Sequence, residues 1–253
     1  MSESTVLTHC LRPDWPAPVN VRALQTTRLG GVSVAPYNSL NLGDHVGDDA
    51  MMVANNRQRL SSGLPSEPVW LNQVHGTRVI NAAQSTCLES ADASFSLQPN
   101  VVCVTMTADC LPVLLCDTQG TVVAAVHAGW RSLCDGVIEA TIHAMPVPAN
   151  TLMAWLGPAI GPEAFEVGSE VRAQFMAHDA AAATAFKPSD NADKWLGNLY
   201  LIATQRLTTL GVTQVYGGGA CTYTDAERYF SYRRDGVTGR MASLIWLEAA
   251  HRL

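Results

Sequence analysis

Three apolar runs stand close together in the middle of the chain: Val101-Val102-Cys103-Val104-Thr105-Met106-Thr107, Leu111-Pro112-Val113-Leu114-Leu115-Cys116-Asp117 and Thr121-Val122-Val123-Ala124-Ala125-Val126-His127. Each is short, continuously apolar and bounded by polar or turn residues, a pattern of buried strands rather than helices. Asp117-Thr118-Gln119-Gly120 joins the last two and predicts a hairpin. In an antiparallel pair the start of one strand lies beside the end of its partner. Cys110, just before the first strand of the hairpin, is therefore predicted to meet His127 at the close of the second.

Elsewhere the period changes. Asp48-Asp49 precedes Ala50-Met51-Met52-Val53-Ala54-Asn55-Asn56-Arg57-Gln58-Arg59-Leu60, an N-cap followed by a helical pattern. Further helices are predicted over about 130–145, 168–178 and 194–210, with a last apolar strand at about 241–247. No repeat and no glycine, serine or proline tract divides the chain. The expectation is one domain over residues 1–253, of α+β class, with two packed mixed β-sheets flanked by helices.

Composition narrows the function classes. A hydrophobic content of 47% supports a large core, and a net charge of −6 argues against a broad nucleic-acid surface. The arginines are dispersed except for Arg233-Arg234, which leaves room for an anionic small molecule held locally. Seven cysteines, an odd number without a C-x-x-C pair, point to reduced thiols rather than a disulfide framework. The N-terminal residues lack a basic start followed by an apolar stretch, and no run reaches the length of a membrane span. The expected compartment is the cytoplasm.

The candidate chemistry sits at the edges of the predicted strands. Asn72-Gln73-Val74-His75-Gly76, Thr107-Ala108-Asp109-Cys110 and Val126-His127-Ala128-Gly129-Trp130-Arg131 offer two imidazoles and one thiol. Catalytic zinc commonly takes three protein ligands and keeps one position open, whereas structural zinc takes four. His75, Cys110 and His127 thus outline a catalytic metal site. The same residues also admit a Cys110–imidazole pair for nucleophilic catalysis, or a small core thiol with two hydrogen-bonded histidines. Asp109 would act as a base or orient a ligand.

Around that centre, Arg28 and Arg57 offer forked donors for phosphate or carboxylate, and Asn41, His45 and Gln73 offer polar edges for a ribose or base. A helix that starts directly after His127 would present unpaired N–H groups to phosphate. Arg233 and Arg234, among Tyr229, Phe230 and Tyr232, would form either a stacking surface for a base or part of the core. The dinucleotide, P-loop, serine-hydrolase, zincin and cytidine-deaminase motifs are all absent.

Beyond these features, the ordered segments NQVHG, TADCLPVLL, VHAGWR, WLGPAIGPEAFEVG and FSYRRDGVTGRMASLIWL resemble the YfiH family, also known as laccase-domain, polyphenol oxidase or purine nucleoside phosphorylase proteins. The likeness runs from Thr27-Arg28-Leu29-Gly30-Gly31 through Ser39-Leu40-Asn41-Leu42-Gly43-Asp44-His45 to the C-terminus. It implies α/β/β/α layers, zinc on His75, Cys110 and His127, and a substrate role for Arg57. It also implies phosphorolysis of adenosine, inosine, guanosine and methylthioadenosine, so a purine nucleoside and phosphate as partners, with adenosine deaminase activity in addition. Zinc would activate water for attack on the purine amino carbon. One departure from the family pattern is that Gly161-Pro162 is followed by Glu163-Ala164 where many relatives carry a cysteine pair.

The laccase name meets a physical objection. An oxygen-reducing copper cluster needs many imidazoles, and seven histidines with no H-x-H pair are too few. Cu2+ would still compete with Zn2+ for the single three-donor site, making phenol oxidation a side reaction of mismetallation. Two other readings stand beside the phosphorylase: a Cys110–His127 amidase acting on a peptidoglycan-precursor peptide, and a non-catalytic zinc-stabilised binding protein. Nothing in the residues fixes the oligomeric state.

Overall fold

The computed structural model describes residues 6–85 and 88–249. The first half of the chain forms β1 (Val21–Gln25), α1 (Ala50–Ser61), β2 (Val79–Asn81), β3 (Ala93–Ser96), β4 (Cys103–Thr107), β5 (Leu111–Asp117) and β6 (Val123–Ala128). The second half forms α2 (Trp130–Asp135), α3 (Val137–Ala144), β7 (Leu152–Leu156), β8 (Glu166–Gly168), α4 (Ser169–His178), β9 (Phe186–Pro188) and β10 (Lys194–Gly197). It closes with α5 (Leu199–Thr209), β11 (Gln214–Gly217), α6 (Tyr232–Asp235) and β12 (Met241–Leu247).

Alternation along the central strands decides the layers. Leu111, Val113 and Leu115 of β5, with Ala124, Val126 and Ala128 of β6, pack against Ile138, Phe175 and Ile202 of the helices. Leu114, Cys116, Val123 and Ala125, on the opposite face, pack against Cys103 of β4 and Ile245 and Leu247 of β12. The outer face of β4 and β12, with Val104, Met106, Leu244 and Trp246, is covered by Leu40, Leu42, Leu60 and Trp70. Each such buried Leu or Val stabilises the fold by about 1.5–3 kcal/mol relative to exposure, so the assignment of faces is strongly enforced.

The predicted α/β/β/α arrangement is therefore present. A six-stranded sheet, ordered β11-β7-β5-β6-β3-β2, faces a three-stranded sheet ordered β1-β12-β4. Only the larger sheet is mixed, with parallel pairs β7–β11 and β2–β3; the smaller is antiparallel throughout. A third small sheet, β8-β10-β9, was not expected.

The hairpin forms as predicted, with Pro112 opposite His127 and Leu111 opposite Ala128. Asp117 fixes its turn by accepting hydrogen bonds from the Thr121 N–H (2.6 Å), the Thr121 hydroxyl (2.9 Å) and the Val122 N–H (3.0 Å).

Two helix predictions change. The helix expected over 130–145 is broken at Gly136, whose left-handed φ of 99° ends α2 before α3 begins. In the helix expected over 194–210, the first four residues are β10, and Asn198 caps α5 by accepting the Leu201 N–H at 3.0 Å. Trp195 and Leu196 are adjacent apolar residues that suit either period, so neither marks the boundary. Among the described residues no helix is long and apolar enough to cross a membrane.

Candidate metal centre and its cavity

His127 lies on the β6 face that looks toward the smaller sheet, near the edge where the sandwich opens, and is 3% exposed. Cys110 sits one residue before β5 and is half-buried, while His75 reaches in from the loop before β2 and is exposed. The ligand atoms of all three lie within 4.8 Å of one another, and the Cys110 Sγ to His75 Nε2 distance is 3.8 Å. The two imidazoles meet edge to face with ring centres 4.7 Å apart.

One carboxylate organises this corner. Asp92, fully buried just before β3, accepts the His75 N–H at 2.9 Å and the Gly76 N–H at 2.6 Å. The Val74 N–H lies 3.2 Å from the same carboxylate, and His127 Nδ1 is 2.8 Å from Oδ1. With Nδ1 so engaged, the Nε2 of His127 is left for a metal, the arrangement common for ligating histidines. The backbone at His75 adopts a left-handed φ of 59°, which goes with three successive N–H groups turning toward Asp92. Burial alone would raise the Asp92 pKa; the bonds from His127 and the loop amides overcome it and hold the carboxyl below its ordinary value. Sequence reasoning missed Asp92. Its signal was a lone acid in Ala91-Asp92-Ala93 at the head of a buried strand.

Burial also opposes charge on Cys110, but the neighbouring His127 and hydrogen bonds from both imidazoles bring its thiol down to about 6. His127 moves the other way despite its burial, raised by the Cys110 sulfur and by Asp92. Two imidazoles and a thiolate-prone sulfur, with the open side toward a cavity, fit a three-ligand metal such as zinc. Away from the cavity, the backbone of Gly129 packs closely against two of the donors. A Cβ added to Gly129 would lie 2.8 Å from His75 Cδ2 and 3.1 Å from Cys110 Sγ.

The cavity above the centre has a volume of about 560 Å³ and takes in Thr107, Trp130, Phe165 and Tyr232. Three arginines line it: Arg131, Arg233 and Arg240. Of the polar residues singled out from sequence, His45, Gln73 and Asp109 line the cavity. Gln73 is occupied by a two-point pairing with the Met106 backbone, at 2.7 and 2.8 Å. Asp109, with φ of 90°, accepts from the Thr222 hydroxyl and the Arg233 N–H, both at 2.6 Å, so its carboxylate ties the Cys110 loop to two other segments.

Arg28, Asn41 and Arg57 lie outside the lining and are used internally. Arg28 donates to the Asn38 and Ala226 carbonyls and stacks on Phe230. Asn41 is fully buried among Gly43, Asp48 and Arg240. Arg57 donates to the Leu42 carbonyl at 2.9 Å, pairs with Asp44 and stacks on Trp70. The aromatic cluster divides: Tyr229 and Phe230 are core, while Tyr232 and Arg233 face the cavity and Arg234 is held by the Thr222 and Tyr229 carbonyls. Among the described residues one other donor trio exists, Cys134, Asp135 and His178, and it does not line this cavity.

This combination of fold and centre can be set against known proteins. The multi-copper polyphenol oxidoreductase laccase family matches the chain over residues 22–248. The chain belongs to this family. Among family relatives, purine nucleoside phosphorylase PA4543 of Pseudomonas aeruginosa is 56% identical over 238 residues, covering 94% of this chain and 98% of that protein. Purine nucleoside phosphorylase YfiH of Escherichia coli is 55% identical over 238 residues, covering 93% and 97%. The solved structure of protein NMB0706 from Neisseria meningitidis superposes with a TM-score of 0.92 at 52% identity, covering 95% of this chain and all of that one. YfiH of Bacillus licheniformis retains the laccase-family fold at 28% identity, with a TM-score of 0.83 over 90% and 93% of the two chains.

Proposed function

We propose that the protein is a cytoplasmic, zinc-dependent purine nucleoside phosphorylase with adenosine deaminase activity. The observation that carries this reading is the placement of a three-donor centre, His75, Cys110 and His127, in the same cavity as Arg131, Arg233 and Arg240. A metal corner beside guanidinium groups that, among the described residues, no carboxylate pairs with suits a reaction between an anion and a neutral organic substrate. The names of the relatives point the same way as far as a purine nucleoside and phosphate; adenosine, inosine, guanosine and methylthioadenosine are the substrates we propose.

In phosphorolysis a phosphate oxygen bonds to C1′ of the ribose as the bond from C1′ to the purine nitrogen breaks. The base leaves with the electron pair and takes up a proton. The cavity arginines would hold the phosphate and offset its charge, while the faces of Trp130, Phe165 and Tyr232 offer stacking area for the base. Asp92 would keep His75 and His127 oriented, and Asp109 would keep the Cys110 loop in place. Zinc, when bound, supplies Lewis-acid polarisation at the position the three residues leave open. Copper in its place would account for the phenol-oxidising name of the family as a side activity.

One observation favours a second reading. The lowered Cys110 thiol beside two imidazoles is also the signature of a nucleophilic cysteine, as in an amidase acting on a peptidoglycan-precursor peptide. Chromatography of adenosine incubated with zinc-loaded protein separates the two. Adenine formed only when phosphate is added supports phosphorolysis, and inosine formed with or without phosphate supports deamination. Neither product, together with amide cleavage blocked by a thiol reagent, would replace the phosphorylase reading by the amidase.

A further inference from the structure

Two polar groups on one wall of the cavity have unused hydrogen-bonding capacity. Thr107 closes β4; it is 1% exposed, lines the cavity, and its hydroxyl has no hydrogen-bond partner. Buried hydroxyls are nearly always paired, so an orphan on a residue that lines a cavity points to a ligand atom. Met241 of β12 lies opposite Thr107, which brings Arg240 to the same end of the sheet.

Arg240 is fixed but not spent. Its backbone N–H donates to Asn41 Oδ1 at 2.9 Å, and its Nη1 donates to the carbonyls of Thr238 at 3.0 Å and Gly239 at 3.1 Å. Among the described residues no carboxylate pairs with it, and its Nε and Nη2 have no protein acceptor. Burial lowers its pKa, the mark of a cation held away from water, although Cys110 and Asp109 act in the opposite sense. By contrast, Arg57 has the Asp44 carboxylate and the Leu42 carbonyl.

We infer that Thr107 and Arg240 form the seat of a tetrahedral oxyanion, the hydroxyl donating to one oxygen and the free guanidinium edge to the others. Resting on the phosphorylase reading, the seat is assigned to its inorganic phosphate. The purine is then left to the aromatic side of the cavity, with Trp130 and Phe165. A nucleotide 5′-phosphate has the same chemistry, and the test distinguishes it from free phosphate.

The test is calorimetric titration of the full-length zinc-loaded protein with inorganic phosphate and, separately, with adenosine 5′-monophosphate. Thr107→Val keeps the shape and removes only the hydroxyl. It should weaken phosphate binding by roughly tenfold, whereas Thr107→Ser should stay within about threefold of the parent. Arg240→Gln should weaken it at least as much. No protein hydrogen bond is lost in Thr107→Val, so its melting temperature should not fall, which separates a lost ligand contact from a damaged fold. Parental phosphate affinity in both Thr107→Val and Arg240→Gln would overturn the seat while leaving the phosphorylase reading intact. Weakened nucleotide binding with unchanged phosphate binding would overturn the assignment to inorganic phosphate. A parent that neither binds phosphate nor forms adenine with it would remove both.

Discussion

The metal corner and the Thr107–Arg240 wall share one cavity but are built differently. At the corner, the Asp92 carboxylate engages His127 and three loop amides, so the orientation of the donors is set before any ion arrives. On the wall, a buried hydroxyl and one edge of a guanidinium are left unpaired among the described residues. The contrast teaches where to look for a ligand of each kind. A metal asks for rigid donors already held by a hydrogen-bonded carboxylate behind them, whereas a bound anion is marked by donors the fold has not used.

The largest effect expected from this contrast concerns the thiols. In metal-stripped protein, Cys110 should react with iodoacetamide more than about a hundredfold faster than Cys103 or Cys116 at neutral pH, and added zinc should protect it. Burial pushes those two thiols up to about 12, while the imidazoles hold Cys110 near 6. Because the Cys110 shift is downward, its thiolate persists through neutrality and is lost as pH falls through about 6. Peptide mass spectrometry across pH 5 to 9 reads this directly; equal labelling of all three would show that the corner does not activate its sulfur.

Asp92→Ala should follow, lowering zinc affinity by about 10–100-fold and stability by about 3–5 kcal/mol, since it leaves buried donors without their acceptor. Metal analysis and urea unfolding measure the two separately. Unchanged metal content would mean that the corner is not pre-oriented by this carboxylate.

Gly129→Ala is a finer probe, because its methyl would press on His75 and Cys110 without removing a ligand. A zinc affinity lowered by about tenfold with stability reduced by about 1–3 kcal/mol is expected. Zinc competition with a chromophoric chelator checks the first figure.

Arg57→Ala should have the smallest functional effect, with KM for phosphate within about twofold of the parent and a stability loss of about 1 kcal/mol from its contacts with Trp70 and Leu42. A large rise in KM would return this arginine to the substrate.

How much of this was legible in the chain depended on sequence distance. Cys110 and His127 could be brought together on paper because a single hairpin joins them. His75 could be placed with them only through family resemblance, since its contact with Asp92 requires β3 to pair with β6 first. Asp92 itself was invisible for the same reason. Arg240 was missed because its neighbour Thr107 is reached only through the pairing of β4 with β12. Arg28 and Arg57 have suitable chemistry as phosphate ligands, but their donors are already taken by carbonyls and a carboxylate, a fact no motif records. The boundary at Asn198 was hidden by apolar residues compatible with either period.

The Asp117 turn lies at the far end of the hairpin from the metal corner, yet it governs the corner through chain length. Inserting a single residue beside Gly120, with β5 held in place, would shift β6 by one position and carry His127 round to the helical side of the sheet. Every ligand would still be present in the gene, and the protein would have lost its metal to an in-frame change of one codon in a surface loop.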